Sequence, residues 1–144
     1  MASVAILVTG TPVSAKVTLA GQLGGLLGCP VLSVDALATS FSTLVGSEAD
    51  ESRLRLIASD TLWRLAAETH GGVVVDAALD DDGALERVRA GLAAAGTPRT
   101  VEVACAPNSA STSAPERDWP VVTIDASRSV DFDALVLELG EHFL

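Results

Sequence analysis

The feature that most constrains the fold of this chain is a regular alternation between short β-branched runs and longer segments with helical periodicity. The predicted strands cover residues 4–10, 30–35, 71–77, 99–105 and 120–125. The predicted helices cover 16–27, 36–46 (a short helix or a loop), 50–69, 83–95 and the chain from about 129 onwards. Alternation of this kind implies a parallel sheet with helices on both faces. The sequence therefore predicts a single α/β domain over residues 1–144, with a five-stranded parallel sheet.

Apolar periodicity also predicts which helix faces are buried. In the third helix, a spacing of three and four residues predicts a buried face of Leu54, Ile57, Thr61 and Leu65. The last helix is expected to bury Phe132, Leu135, Val136, Leu139 and Phe143. The simplest account of Phe41, Leu44 and Val45 is that they are core residues, although they could instead contact a partner.

Polar or small residues stand where the predicted strands end. They are Gly10, Asp35, Asp76, Cys105 and Asp125. Ligands of such sheets bind beyond the carboxyl ends of the strands, so this edge is the predicted ligand site. An aspartate that follows a strand often only caps the next helix, and this alternative applies to each of the three aspartates.

The segment "GTPVSAKV", residues 10–17, partly matches the phosphate-binding loop G-x-x-x-x-G-K-[ST]. Gly10 and Lys16 match, whereas Ala15 replaces the second glycine and Val17 replaces the hydroxyl residue. Thr18 lies one position late. Lys16 is the only lysine of the chain, which otherwise uses arginine as its basic residue. The context of a buried strand before the loop and a helix after it supports the match.

Each departure from the loop pattern has a physical consequence. Side chains at Val13 and Ala15 crowd a backbone that must wrap around phosphate oxygens with its N–H groups. Val17 offers no oxygen to Mg²⁺, and metal-assisted phosphoryl transfer depends on that ion. Anion binding can survive these changes because Lys16 and the helix N-terminus remain. The loop sequence therefore predicts that the chain keeps the fold but has lost phosphoryl transfer.

The stretches "ILVTGTPVSAKVTLAGQLGGLLG", "VLSVDAL", "GGVVVDAAL" and "VVTIDASRSVDFDALVLEL" resemble the P-loop small-molecule kinases, especially the chloramphenicol-phosphotransferase-like and AAA-family kinases of bacteria. The resemblance covers nearly the whole chain. It implies a three-layer P-loop NTPase fold of the nucleoside- and shikimate-kinase type. It also implies that Asp35 is the acidic residue that contacts and deprotonates an acceptor hydroxyl, and that Asp76 lies near the metal and substrate.

The motif and the resemblance together assign a set of residues to phosphate or nucleotide binding. The set is Gly10, Thr11, Ser14, Ala15, Lys16, Val17, Thr18, Arg117 and Arg128. The family has a helical lid with arginines after the fourth strand. Here the lid is expected to be shortened to a mobile Ser/Ala/Pro-rich remnant, residues 106–119, whose only basic residue is Arg117. Losses in the loop glycines, the metal hydroxyl and the lid together indicate a degenerate member of the family.

Charge and cysteine content restrict the partners that the chain can have. The formal net charge of −10 argues against nucleic acid and against anionic membrane surfaces. Cys29 and Cys105 suggest buried reduced thiols rather than a disulfide or a zinc site, and no metal site is expected. The expected partner is a small molecule in the strand-end cleft, a homodimer is possible, and the expected location is the cytoplasm.

Three functions stay open at the level of sequence. The first is a degenerate kinase that uses its old cleft for binding or for other chemistry, with Asp35 as a general acid or base and Asp76 nearby. The second is an active ATP-dependent small-molecule kinase, with Lys16 on the phosphates and Thr18 in place of the lost hydroxyl. Only this second function requires ATP and Mg²⁺. The third is a noncatalytic regulatory or scaffold pseudokinase.

Overall fold

The computed structural model of the chain describes residues 1–46, 48–79, 82–106 and 117–143. Its strands are β1 (Ala2–Gly10), β2 (Val31–Ser33), β3 (Gly71–Asp76), β4 (Arg99–Ala106) and β5 (Val121–Asp125). Its helices are α1 (Val13–Leu27), α2 (Val34–Val45), α3 (Glu51–Glu68), α4 (Asp82–Ala94) and α5 (Phe132–Phe143). Most of the lid remnant that the sequence predicts lies outside the described residues.

The five strands form one parallel sheet in the order β2-β3-β1-β4-β5. The central strand β1 pairs Ile6 with Val74 of β3 and with Val101 of β4. Side chains of these strands alternate between two apolar clusters, one shared with α1 and α5 and the other with α3 and α4. The predicted α/β class, the five-stranded parallel sheet and the helices on both faces are confirmed.

The buried face of α3 differs from the one that the sequence predicts. Leu54 is buried as predicted, but Ile57 and Leu65 are 54% and 43% exposed. The buried residues of the helix are Leu54, Ala58, Leu62, Trp63 and Ala66. The prediction was wrong because the buried row of α3 has a spacing of four, in which leucines alternate with the alanines Ala58 and Ala66, whereas Ile57 and Leu65 lie on a neighbouring face.

Helix α2 contributes no fully buried residue to the core. Leu44 is 81% exposed and Val45 is 62% exposed, whereas Phe41 is partly buried. The interpretation of Leu44 and Val45 as core residues was therefore wrong. The helix lies beyond the short edge strand β2 and packs mainly against α3, so its outer side has no layer above it.

Two helices begin earlier than the sequence predicts, and both changes move candidate site residues. Helix α1 begins at Val13 rather than at Lys16, directly after Pro12. Helix α2 begins at Val34 because the Ser33 side chain accepts a hydrogen bond from the Ala36 N–H at 3.2 Å. Asp35 therefore lies in the first turn of a helix and not at the end of a strand.

No helix among residues 1–46, 48–79, 82–106 and 117–143 is both long enough and apolar enough to span a membrane.

Candidate functional site

A cavity of about 380 Å³ opens at the carboxyl ends of β2 and β3. Lys16, Asp35 and Asp76, three of the residues that the sequence singles out, line this strand-end cavity together. Arg55 and Arg87 also line it, as does Trp63. No sequence pattern points to these last three residues, because arginines on amphipathic helices usually lie on the solvent face and a tryptophan there usually belongs to the core.

Lys16 and Asp76 form a buried ion pair at the inner end of the cavity. Lys16 Nζ lies 3.1 Å from Asp76 Oδ1, and the two side chains are 6% and 3% exposed. Oδ1 accepts no well-aligned hydrogen bond from a described residue, so its contact with the ammonium is mainly one of charge. The other oxygen, Oδ2, accepts a bond from Ser33 Oγ at 3.3 Å. The one lysine of the chain is thus neutralised by a carboxylate of the chain itself.

Two backbone N–H groups of the loop form hydrogen bonds within the chain. The Thr11 N–H donates to the Cys105 carbonyl, and the Lys16 N–H donates to the Pro12 carbonyl, each at 3.1 Å. Pro12 has no N–H. Because α1 begins at Val13, only the N–H groups of residues 13–15 lack a partner within the helix. A phosphate would therefore meet one helical turn rather than a wrapped loop.

Gly10 has a structural reason to be glycine that does not involve phosphate. Its φ is +101°, and a Cβ at this position would lie 1.9 Å from the carbonyl oxygen of Cys105. The close approach of β1 and β4 at this point thus requires a residue without a side chain. Glycine is therefore needed at this turn whether or not a ligand binds.

Cys105 is buried at the carboxyl end of β4, as the sequence predicts. Burial raises the pKa of its thiol, the nearby Lys16 ammonium lowers that pKa, and the Asp76 carboxylate raises it. The net shift is upward, so the thiol stays protonated near neutral pH and is a poor nucleophile.

Asp35 lies at the outer part of the cavity, 2.6 Å from Nη1 of Arg55 on α3. The two side chains are 41% and 51% exposed, so water screens the pair. The partly exposed carboxylate can reach a ligand in the cavity. A role for Asp35 as an acid or base remains a prediction.

Three other residues of the predicted set lie around a second cavity, of about 420 Å³, on the far side of α1. Ser14, Ala15 and Thr18 line it together with residues of β5 and of the chain just before and within α5. Thr18 is thus separated from the cavity that holds Lys16 and Asp76. Val17 is 50% exposed and lines neither cavity.

The two predicted arginines make contacts within the chain. Arg117 forms a buried ion pair with Glu102, whose Oε1 accepts bonds from Arg117 Nε at 2.7 Å and from Trp119 Nε1 at 2.9 Å. Glu102 also accepts a bond from Thr9 Oγ1 at 2.7 Å. Arg128 is 83% exposed and lies 3.5 Å from Asp125. The roles of both arginines in nucleotide binding remain predictions.

Magnesium-bound ATP is the group that the family resemblance implies, and the residues present do not fit it. Val17 carries no oxygen, Lys16 is paired with Asp76, and the Thr11 and Lys16 N–H groups bond within the chain. A P-loop needs the hydroxyl for the metal and the ammonium and N–H groups for the phosphates. The hydroxyl is missing and the ammonium is engaged, and only the N–H groups of residues 13–15 remain for a phosphate.

Comparison with solved structures identifies the fold. No protein-family model matches the chain, and no match to a curated protein sequence was found. A candidate kinase from Chloroflexus aurantiacus J-10-fl superposes with a TM-score of 0.73 at 20% identity, over 98% of this chain and 95% of that one. A gluconokinase from Sinorhizobium meliloti 1021 gives 0.65 at 15% identity, over 98% and 95%. The APS kinase of Mycobacterium tuberculosis gives 0.63 at 21% identity, over 94% and 96%.

The chain therefore has the fold of the P-loop small-molecule kinases, as the sequence predicts. Identities of this size establish the fold alone. What the chain does must be argued from its own residues.

Proposed function

We propose that this protein is a degenerate P-loop kinase that binds a small molecule in the strand-end cavity and no longer transfers phosphate from Mg-ATP. The ion pair between Lys16 and Asp76, closed at 3.1 Å and buried, is the observation that carries the proposal. In an active kinase the lysine must neutralise transferring phosphates and the aspartate must lie free near the metal. Here each of the two charges cancels the other.

The cavity itself supports a function in ligand binding. Its volume of about 380 Å³ is comparable with that of small-molecule sites, and it combines charged groups with an apolar wall. Asp35 is the group best placed for any remaining proton transfer, because it lines the cavity and is partly exposed. Binding, with or without such repurposed chemistry, is therefore the proposed activity.

The test is a titration of the purified protein with Mg-ATP, followed by calorimetry and by thermal unfolding. A specific ligand at about 100 times its dissociation constant adds roughly 2.7 kcal/mol of stability. We expect no such stabilisation and no Mg²⁺-dependent loss of the terminal phosphate. Saturable Mg-ATP binding with phosphoryl transfer to water or to an added alcohol would disprove the proposal.

A variant that restores the loop tests the same proposal from the opposite direction. The triple change Val13→Gly, Ala15→Gly and Val17→Ser returns the backbone freedom and the hydroxyl that the loop pattern needs. We expect this variant to bind Mg-ATP more tightly than the parent does. The matched control is Gly21→Ala, Gly25→Ala with Val17 retained, which changes exposed positions of the same helix and should leave nucleotide binding unaltered.

An active small-molecule kinase is the second candidate. One observation favours this candidate: Lys16, Asp35 and Asp76 line one cavity. In a kinase the residues that bind the phosphates, act as the base and lie near the metal must meet at one site. Under this proposal a ligand would open the ion pair, and Thr18 would supply the metal hydroxyl. Thr18→Ala would then abolish Mg-ATP turnover, whereas under the first proposal there is no turnover to lose.

A noncatalytic scaffold is the third candidate, and the exposed apolar residues of α2 are what favour it. Leu44 and Val45 are solvent-exposed in a helix with no fully buried residue. Sedimentation analysis of the parent and of Leu44→Glu tests whether the chain forms a homodimer through this helix. A monomeric parent would remove the support for this candidate.

A further inference from the structure

The strand-end cavity has a charge balance opposite to that of the molecule. The chain carries nine basic and nineteen acidic residues and a net charge of −10. Among the described residues that line the cavity, however, three are basic (Lys16, Arg55 and Arg87) and two are acidic (Asp35 and Asp76). A third of all basic residues of the chain thus surround one small cavity. Such a concentration of positive charge in an acidic protein favours an anionic ligand.

Internal pairing leaves one of these cations for a ligand. Asp76 neutralises Lys16 at 3.1 Å, and Asp35 neutralises Arg55 at 2.6 Å. Arg87, on α4, forms no ion pair with any side chain in the described part of the chain. The excess positive charge of the cavity therefore belongs to Arg87.

Another part of the cavity lining, next to Arg87, is apolar. Trp63 is 7% exposed, and its ring is packed so closely on α4 that a Cβ added to Gly91 would lie 2.2 Å from it. Leu62, Val75 and Val88 continue the same wall and are buried. A ligand in contact with this wall needs an apolar body.

We infer that the ligand of this site is a monoanionic carboxylate on an apolar body. Arg87 binds the carboxylate, and the body lies against the wall formed by Trp63 and its neighbours. The planar guanidinium presents two parallel N–H donors that match the two oxygens of a carboxylate. One uncompensated positive charge suits one negative charge, which favours a carboxylate over a phosphate dianion. The inference rests on the proposed function in one respect, namely that the strand-end cavity is the binding site.

The experiment uses Trp63 as the reporter. The chain has two tryptophans, so Trp119→Phe leaves Trp63 as the only one. This protein is titrated with phenylacetate and cinnamate, and with phenylacetamide and cinnamamide as neutral molecules of the same shape. We expect the carboxylates to change the Trp63 emission and to bind about tenfold or more tightly than the amides, because a charged hydrogen-bonded pair is lost with the amide.

Two arginine variants separate the site from general electrostatics. Arg87→Gln, made in the same background, should bind acid and amide with equal affinity. Arg53→Gln removes one exposed positive charge from α3, and Arg53 does not line the cavity; this control should keep the preference for the acid. Both positions are exposed, so neither change is expected to prevent folding.

The inference would be overturned by equal binding of acids and amides by the parent, by an equal effect of Arg53→Gln and Arg87→Gln, or by no binding of any acid at millimolar concentration. Inorganic phosphate that competes with the acids better than acetate does would also overturn it, in favour of a phosphorylated ligand. Mg-ATP turnover would instead disprove the proposed function and leave the preference for acids intact. The failures of the two proposals can therefore be distinguished.

Discussion

The proposed loss of phosphoryl transfer depends on two residues, Lys16 and Asp76, which form a buried ion pair. Two charges that are almost fully removed from water are stable only while they remain together. A phosphate that approached Lys16 would have to separate the pair and leave Asp76 buried without its cation. The pair thus opposes anion binding at the place where the sequence motif predicts it.

We expect Lys16→Met to lower the free energy of unfolding by about 3–5 kcal/mol, because it leaves a buried carboxylate without its cation. The double change Lys16→Met, Asp76→Asn should recover most of that loss, since the neutral amide can still bond to Ser33. Urea unfolding followed by tryptophan emission measures both. Arg64→Gln, which breaks an exposed pair with Asp60 on α3, is the control and should have little effect. A Lys16→Met variant as stable as the parent would mean that the buried Asp76 does not depend on Lys16.

Glu102 is a second buried charge that was not identified from the sequence. It lies on β4 between Val101 and Val103, and its carboxylate binds Thr9, Arg117 and Trp119. Its only signal in the sequence is an acidic residue within an apolar strand, "VEV". The partners lie 93, 15 and 17 residues away, so their identity could not be derived from local pattern.

At the scale of elements, the junction between β1 and α1 determines what the loop can bind. Pro12 precedes the helix, and the Lys16 N–H is taken by the Pro12 carbonyl. Proline tolerates the start of a helix because its missing N–H would have no helical partner there. The extension of α1 back to Val13 consumes residues that would otherwise form an anion-binding loop.

Two glycine-to-alanine substitutions separate the effect of helix propensity on stability from the effect of the contact between α3 and α4. Gly91→Ala adds a methyl group 2.2 Å from the Trp63 ring, and we expect it to lower the free energy of unfolding by about 1–3 kcal/mol. Gly21→Ala, in α1, meets nothing within 4 Å and should raise stability by up to about 1 kcal/mol, because alanine is the better helix former. Denaturant unfolding measures both variants. A stabilised Gly91→Ala protein would show that Trp63 is not held against α4.

At the scale of the whole molecule, net charge dominates the long-range electrostatics. The charge of −10 is spread over a small domain, so its carboxylates repel one another. This repulsion destabilises the compact state at low ionic strength and is screened by salt. The positive charge at the strand-end cavity is a local exception to this surplus.

We expect the melting temperature to rise when NaCl increases from about 0.01 M to about 0.15 M, as the Debye length falls from about 30 Å to about 8 Å. Glu138→Gln, Glu141→Gln removes two exposed charges from α5 and should reduce the rise. Differential scanning fluorimetry measures the effect. A melting temperature that falls with salt would mean that the surface ion pairs outweigh the general repulsion.

The sequence by itself determined the order of strands and helices along the chain, the parallel sheet and the edge at which we propose that a ligand binds. These follow from hydrophobic periodicity and from chain connectivity, both of which act locally. The sequence also singled out Lys16, Asp35 and Asp76, and the structure places all three at one cavity. They meet there because each lies at or after the end of a strand of the sheet, and the carboxyl ends of neighbouring parallel strands lie at one edge.

Only the tertiary structure decided which charges are free. Distances between elements determine that Lys16 pairs with Asp76 and that Arg87 lies beside Trp63. They also determine that α3 buries Ala58 rather than Ile57. Burial and ion pairing are properties of residues far apart in the chain, and periodicity carries no information about them. For that reason the fold follows from the sequence, whereas the chemistry of the cavity follows from the packing.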